Sequence, residues 1–162
     1  FNAKAETAGS SPAFRGPYAN RRCVVPVSGF YEWCRQHGQK VPYLIQGQQE
    51  QPLLLAGLWD SWSPRGGAGE VASLLSFTLL TTAAHEEMQA IHHRQPIFLT
   101  VEQAKSWLDM SIPTVQLEPL FASKLPVPLN GNPVSTWVNS ARNKDARCYQ
   151  VIGPVLQIQA TH

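Results

Sequence analysis

The sequence predicts an α+β fold, with a curled, mostly antiparallel sheet or a barrel-like β core and a few short helices. Strand-like runs outnumber helical patterns, and turn residues separate them. The 162 residues are 43% hydrophobic and 15% charged, a balance that supports one buried core and is the opposite of a disordered chain. We therefore expect a single domain over residues 1–162. We expect no membrane partner, because the longest apolar run is much shorter than the ~18 residues of a spanning helix.

β-branched and aromatic residues predict the strands of the first half. Residues 23–27 and 30–33, with Ser28 and Gly29 between them, indicate two strands or one strongly bent strand. Pro26 places the first of these at a sheet edge or a bulge, because proline cannot donate to a strand ladder. Further strands are predicted at 41–45, 53–62 and 74–82, with a flexible loop at 64–69.

Helical patterns appear in the second half. Residues 83–91 are compatible with a short helix, and 96–99 with a short strand. Thr100 then begins a helix, and Gln103 completes a capping box. The helical spacing places Val101, Ala104, Trp107 and Leu108 on one apolar face, and we also expect a short helix at 114–123, interrupted at Pro119, and a late strand at 133–138.

Cysteine and histidine usage argues against disulfides and against a metal site. Cys23, Cys34 and Cys148 are an odd number without a CxxC pair, so we expect reduced thiols and a cytoplasmic protein, nucleoid-associated if bacterial. His85 could meet His92 and His93 at a metal, but cysteine or carboxylate ligands at a recognisable spacing are lacking. We therefore predict no metal and no cofactor.

Charge is distributed unevenly along the chain. Residues 1–49 carry six basic and two acidic side chains, residues 50–123 three basic and eight acidic, and residues 124–162 four basic and one acidic. If the two ends fold together, they form a basic face that suits a phosphate backbone. Ordinary solvated surface is the alternative interpretation.

Two segments carry residues suited to chemistry. Glu32 lies among Phe30, Tyr31 and Trp33, where loss of solvation would raise its pKa and allow proton transfer near neutral pH; otherwise it is a strand residue that points to water. Residues 91–96 combine two histidines with Arg94. The histidines could transfer protons and the arginine could hold a phosphate. Alternatively, these basic side chains simply suit the C-terminus of a helix. Asn2, Lys4 and Glu6 share one face if their segment is extended, as a groove lining or an exposed edge.

Four motifs occur in an order that resembles a known family. They are Asn2-Ala3-Lys4-Ala5-Glu6-Thr7, Arg22-Cys23-Val24-Val25 leading to Gly29-Phe30-Tyr31-Glu32-Trp33, Ile91-His92-His93-Arg94-Gln95-Pro96, and Pro133-Val134-Ser135 leading to Val138-Asn139. The succession resembles the SRAP family, the SOS-response-associated peptidase domain of bacteria, phages and animals. It covers nearly the whole chain.

The resemblance implies a sensor of abasic sites in single-stranded DNA. In this family an N-terminal cysteine, exposed by autoproteolytic removal of the initiator methionine, attacks the sugar aldehyde with its amine and closes a thiazolidine with its thiol. The Met-Cys-Gly-Arg start is absent here, and residue 1 is Phe1. We expect that the chain lacks the family's N-terminal segment and, as given, is inactive in crosslinking.

The resemblance also assigns roles to individual residues. Asn2 matches the asparagine that holds the cysteine region and the sugar, Glu32 the glutamate that handles protons at the amine, and His92 the histidine that assists ring opening. The DNA-binding positions are Lys4, where many members have arginine, together with Trp33, Thr81 and Arg94.

Two other functions stay open at this point. The family name suggests a thiol peptidase that acts on other substrates, although no Cys/His pair has a recognisable spacing. A module that binds single strands without forming a covalent bond is the other alternative. The expected partner is abasic single-stranded DNA, the oligomeric state is undetermined by the sequence, and a monomer is the default expectation.

Overall fold

A computed structural model describes residues 2–49, 51–63 and 73–160. The described residues form ten strands, four short α-helices and three 3-10 helices. The strands belong to two sheets rather than one closed barrel, and only one of the strand pairs is parallel. The predicted α+β class with a mostly antiparallel sheet is thus confirmed, and the predicted loop at 64–69 lies outside the described residues.

The larger sheet has the strand order β1-β6-β5-β2. It contains β1 (Asn2–Lys4), β2 (Arg22–Val27), β5 (Leu53–Trp62) and β6 (Leu74–Ala83), with β7 (Arg94–Pro96) paired to β6 and β8 (Phe98–Leu99) paired to β5. β1 runs parallel to β6, with Asn2 opposite Leu79 and Lys4 opposite Thr81. β2 lies at the edge of the order, as Pro26 predicted.

The smaller sheet has the order β10-β9-β4-β3 and carries the Glu32 segment. It contains β3 (Phe30–Gln36), β4 (Gln39–Gly47), β9 (Leu129–Pro133) and β10 (Leu156–Ile158). β2 and β3 are therefore separate strands in different sheets, joined at Ser28 and Gly29. A Cβ on Gly29 would lie 2.7 Å from the carbonyl oxygen of Ile45, so this turn requires glycine for close backbone approach.

The helices pack on both sheets and contribute to both apolar cores. They are α1 (Ala5–Ala8), α2 (Arg15–Asn20), α3 (Glu86–Gln89) and α4 (Val101–Leu108), with 3-10 helices at Thr114–Phe121, Thr136–Asn139 and Ala146–Tyr149. The core under α4 is built around fully buried Trp107, whose indole Nε1 donates to the carbonyl oxygen of Cys23 (2.9 Å). A second core, centred on Ile45, Leu55 and Met88, lies between the two sheets.

Several predicted elements differ from the structure. The late strand at 133–138 is wrong: Ser135 accepts a hydrogen bond from the Trp137 amide and turns the chain into a 3-10 helix. The helix at 83–91 shrinks to α3, because Ala83 pairs with Arg94 as part of β6. The face predicted for α4 is half right, since Ala104 and Trp107 are buried whereas Val101 and Leu108 are exposed.

Candidate active site

A groove of about 410 Å³ lies where the larger sheet meets β3. We call it the central groove. Its lining combines polar and charged side chains with apolar ones, and these residues come from strands β1, β3, β6 and β7 and from the loop before β7. The lining residues are Asn2, Lys4, Phe30, Tyr31, Glu32, Leu79, Thr81, His92, Arg94, Gln95 and Pro96.

The central groove brings together six of the seven residues assigned by resemblance. β1 alternates between an exposed Asn2, a buried Ala3 and an exposed Lys4, so both polar side chains line the groove while Ala3 enters the core. The chain then turns from strand to helix at Ala5. An extended segment would place Glu6 on the same face as Asn2 and Lys4, and the helix instead takes Glu6 off that face.

Glu32 and His92 form a close pair in this groove. His92 Nδ1 lies 4.0 Å from Glu32 Oε2, and the side chains are 33% and 23% exposed respectively. Burial raises the pKa of the Glu32 carboxyl above its ordinary value, and the neighbouring His92 opposes that shift. A carboxyl whose neutral form is favoured, beside an imidazole, can hold and pass a proton.

The backbone of Arg94 orients the imidazole of His92. Nδ1 lies 3.0 Å from the Arg94 carbonyl oxygen and 3.2 Å from the Arg94 amide nitrogen. Which of these two groups it bonds depends on the tautomer. The other ring nitrogen, Nε2, makes no hydrogen bond with any described residue, so it is available to a ligand.

Arg94 is held in a fixed position by Glu6 and Thr81. Its NH1 and NH2 groups donate to Glu6 Oε1 (2.6 Å) and Oε2 (2.9 Å) in a bidentate pair. NH2 also donates to the carbonyl and hydroxyl oxygens of Thr81. This pairing lowers the pKa of Glu6, mainly through the Arg94 hydrogen bond. The sequence did not indicate the Glu6–Arg94 pair.

The hydroxyl group of Thr81 is engaged within the protein. Its side chain is buried, and Oγ1 donates to the carbonyl oxygen of Ala3 (3.3 Å), which ties β6 to β1. The hydroxyl proton therefore already has an acceptor within the protein, and its oxygen accepts from Arg94. In this structure Thr81 supports Arg94 rather than presenting a free donor to the groove.

Trp33 lies outside the central groove. It lines a second cleft of about 590 Å³, which we call the hairpin cleft because the β3–β4 hairpin forms one wall. The Trp33 indole Nε1 donates to Asn139 Oδ1 (2.8 Å), so the ring is anchored although 37% of the residue is exposed. Glu32 and His92 line both cavities, which therefore meet at this pair.

The cysteines are not placed as nucleophiles. Cys34 and Cys148 are buried free thiols, and the Cys34 Sγ donates to the carbonyl oxygen of Ala90 (3.1 Å). Burial raises the pKa of the Cys23 thiol, which disfavours the reactive thiolate. Among the described residues no three His, Cys, Asp or Glu side chains are grouped to hold a metal ion. Within that same part of the chain, every helix is too short or too polar to cross a membrane.

Sequence comparison identifies the family. The family model described as SOS response associated peptidase (SRAP) matches residues 1–141. The chain belongs to the SRAP family. The match includes the three strands and the 91–96 segment that line the central groove of this SRAP domain.

Named relatives and solved structures extend the similarity. Abasic site processing protein YoaM of Bacillus subtilis (strain 168) is 34% identical over 152 residues, which are 90% of this chain and 63% of YoaM. Abasic site processing protein HMCES of Gallus gallus is 34% identical over 186 residues, which are 99% of this chain and 53% of HMCES. This SRAP domain thus spans less than two thirds of the length of either relative.

The fold is shared with experimentally determined structures. A crystal structure of a protein from Bacteroides thetaiotaomicron matches with a TM-score of 0.78 at 26% identity, over 93% of this chain and 66% of that one. A protein from Bordetella bronchiseptica matches with a TM-score of 0.69 at 29% identity, over 83% of this chain and 64% of that one. The two-sheet arrangement of this SRAP domain therefore belongs to a shared fold.

Proposed function

We propose that this SRAP domain processes abasic sites in single-stranded DNA by covalent capture of the opened sugar. The observation that carries the proposal is the Glu32–His92 pair at the meeting point of two cavities. The names of the relatives support the substrate class, since YoaM and HMCES are both named abasic site processing proteins. Lys4 and Arg94 add positive charge beside the pair, as a phosphate backbone requires.

The chemistry divides into proton transfers that these side chains can perform. An abasic sugar opens to an aldehyde when the bond between C1′ and the ring oxygen breaks, the anomeric hydroxyl gives its proton to water and the ring oxygen takes up a proton. We assign delivery of that proton to His92. An α-amine then adds to the aldehyde, and the adduct loses water to give an imine. Protonated Glu32 can supply the proton that leaves with the water, because burial favours its neutral form, and the resulting carboxylate takes back the proton that the nitrogen loses.

Addition of a thiol on the neighbouring carbon to the imine closes a thiazolidine, and the imine nitrogen takes up the thiol proton. Only an N-terminal cysteine offers the amine and the thiol in this arrangement, and such a residue is not among the 162. We propose that self-processing removes the initiator methionine to expose it. These 162 residues would then supply the binding groove and the proton-transfer groups.

Peptidase activity on other substrates has less support. The thiols of Cys34 and Cys148 are buried, and none of the three cysteines pairs with a histidine in the described part of the chain. A thiol peptidase needs a thiolate within reach of a base. None of these three cysteines is therefore placed to act as the nucleophile of a thiol peptidase.

The test is incubation of the protein, as its gene encodes it, with a single-stranded oligonucleotide that contains one abasic site. A band retarded on a denaturing gel, and abolished when the abasic site is replaced by an intact nucleotide, supports covalent capture. Binding without a retarded band would leave only a noncovalent DNA-binding module. Cleavage of an unrelated peptide with no DNA adduct would support the thiol peptidase instead.

A further inference from the structure

The hairpin cleft continues the central groove beyond the reacting pair. It has about 590 Å³ of space, and the β3–β4 hairpin contributes Trp33, Arg35 and Lys40 to its lining beside Glu32 and Cys34. The opposite wall is residues 89–93, which include His92 and His93. A strand that passes Glu32 and His92 in the central groove therefore has a path into this cleft.

Arg35 and Lys40 face each other directly across the β3–β4 ladder. Arg35 is the Cα partner of Lys40, and both are exposed. The tight turn between them, with His37 at φ 49° and Gly38 at φ 79°, fixes this register. Directly opposed residues of an antiparallel pair project to the same side, so the guanidinium and the ammonium share one face.

No acidic side chain of the described residues neutralises this pair of positive charges. Neither Arg35 nor Lys40 forms an ion pair with any described residue. Like charges directly opposite in a sheet are destabilising, whereas an anion between them would be attracted by both. The arrangement therefore suits an anionic ligand better than it suits the isolated fold.

Trp33 lies on the same face as Arg35, two residues earlier in β3. Its hydrogen bond to Asn139 anchors the ring at the cleft wall. Arg35 and Lys40, which we call the clamp, lie near the end of the hairpin. Arg35 is three residues beyond Glu32, so it is roughly 10 Å further along β3 and its side chain leaves the opposite face of the strand. At that distance the clamp reaches a neighbouring nucleotide and not the reacting sugar.

We infer that the hairpin cleft is a subsite for the DNA strand on one side of the abasic nucleotide, with Arg35 and Lys40 binding its backbone phosphates. The inference rests on the proposed function, because the strand must first occupy the central groove. The subsite reads phosphate rather than base identity, so it would add affinity without sequence preference.

The experiment compares the Arg35→Gln/Lys40→Gln variant with the Arg15→Gln/Lys105→Gln variant. The control removes the same two charge types from exposed positions on α2 and α4, outside both cavities. Fluorescence anisotropy would measure binding to three single-stranded oligonucleotides with a stable abasic analogue. One has flanks on both sides, one lacks the 5′ flank, and one lacks the 3′ flank.

For the oligonucleotide with two flanks, we expect the cleft variant to lose about ten-fold or more in affinity and its log–log salt slope to fall by about 1.4, or ~0.7 for each contact. The deficit should disappear with one of the two truncated oligonucleotides, because that strand no longer reaches the cleft. The control variant should bind all three as the wild type does.

Two different failures can be distinguished. If the wild type binds the oligonucleotides and the cleft variant binds them no more weakly than the control variant, the subsite is refuted and the proposed function stands. The subsite is also refuted if the deficit is the same for all three oligonucleotides. If the wild type binds none of them, the proposed function fails and the subsite fails with it.

Discussion

At the scale of single residues, Glu32 and His92 are expected to act on protons rather than on DNA affinity. Positioned acid–base groups typically contribute about 10²–10⁴-fold to a rate. Glu32→Gln and His92→Ala should therefore slow crosslink formation by factors in this range, while noncovalent affinity for abasic DNA stays within a few-fold. Rates come from quenched time courses on denaturing gels, and affinities from anisotropy with a stable abasic analogue.

Arg94→Ala is the matched comparison for these two variants. It removes a guanidinium that lines the central groove but does not move protons, so it should weaken binding more than it slows the bound-state reaction. If Glu32→Gln or His92→Ala lowered affinity as much as Arg94→Ala does, or unfolded the protein in a thermal melt, the proton-transfer roles would be wrong.

The raised pKa of Glu32 also predicts a pH-dependent effect on stability. A folded-state pKa above the ordinary value of 4.5 means that the native state binds the proton more tightly than the unfolded chain. Protonated Glu32 contributes stability fully below its unfolded-state pKa. This contribution is lost as the pH rises through the higher folded-state pKa. Glu32→Gln keeps a neutral side chain at every pH. The melting temperature of this variant should therefore increase relative to that of the wild type as the pH rises.

Thermal melts from about pH 4 to about pH 8 test this expectation. Glu102→Gln, an exposed carboxylate in the first turn of α4, is the control for a generic loss of negative charge. A Glu32→Gln difference that stays constant with pH would contradict the assigned pKa shift.

Glu6 occupies the donors of Arg94 that a phosphate would use, and Glu6 is half exposed beside the central groove. Glu6→Gln removes a negative charge that repels the DNA backbone and releases the guanidinium. We expect affinity for single-stranded DNA to rise a few-fold and the salt slope to steepen. Glu102→Gln, far from the groove in sequence and fold, should change neither.

A fall in the affinity of Glu6→Gln for single-stranded DNA would contradict this expectation. It would mean that the carboxylate orients Arg94 for DNA and that orientation outweighs repulsion.

The sequence singled out Glu32 and His92, which lie side by side in the structure, but it did not indicate the Glu6–Arg94 pair. Glu32 among aromatics and the two histidines beside an arginine are local patterns, and the family resemblance reinforced them. The Glu6 contact needs two events that no local pattern encodes: the change from strand to helix at Ala5, and the parallel pairing of β1 with β6. Both depend on burial of Ala3 and Ala5 in the core under α4.

At the scale of elements, β3 is the strand that sets the site, and Gly29 sets where it begins. A Cβ at Gly29 would lie 2.7 Å from both the Ile45 carbonyl oxygen and Gln46 Cγ, so β3 would have to move away from β4. Gly29→Ala should cost about 1–3 kcal/mol in the free energy of unfolding and slow crosslinking, because Glu32 lies three residues further on.

Gly16→Ala is the control for this variant. Gly16 lies in α2, its added Cβ would meet only the Arg21 guanidinium at 3.6 Å, and alanine favours helix by up to about 1 kcal/mol. Chemical denaturation of both variants gives the two free energies. Equal stabilities would show that the close approach at Gly29 is relieved without cost.

Helices and strands were predicted correctly where neighbouring residues in the sequence themselves form the stabilising interaction. The Thr100 capping box forms as predicted, with Gln103 N donating to Thr100 Oγ1 (3.2 Å) and Thr100 N donating to Gln103 Oε1 (2.8 Å). Prediction failed at 133–138, where an apolar stretch suggested a strand but the Ser135 side chain bends the chain. Side-chain capping of this kind competes with the ladder and is weakly marked in sequence.

At the scale of the whole molecule, the two basic ends of the chain meet at β3. Tyr31 donates to the carbonyl oxygen of Cys148 (3.2 Å), and Trp33 donates to Asn139 (2.8 Å). These contacts bring residues 139–148, with their basic side chains, against the strand that carries Arg35. The two ends of the chain are therefore in contact, although Arg147 pairs with Asp145 and buried Arg22 is used internally, where it bonds four backbone carbonyl groups.

The whole arrangement predicts a preference for single-stranded over double-stranded DNA. The Glu32–His92 pair lies inside a groove of about 410 Å³, so the reacting sugar must leave the helix axis to reach it. Extruding a nucleotide from a duplex costs a few kcal/mol, whereas a single strand can enter without that cost. Contacts from Lys4, Arg35, Lys40 and Arg94 should together give a log–log salt slope near ~3 for single strands.

Anisotropy at several salt concentrations tests both parts of this prediction on the protein as encoded. The probes are an abasic single strand and the same strand annealed to a full-length complement without overhangs. We expect the single strand to bind at least about ten-fold more tightly, with the difference persisting as salt rises, because the extrusion cost does not depend on screening as phosphate contacts do. Equal affinity for the blunt duplex would mean that the DNA lies across the surface and that the central groove does not admit the sugar.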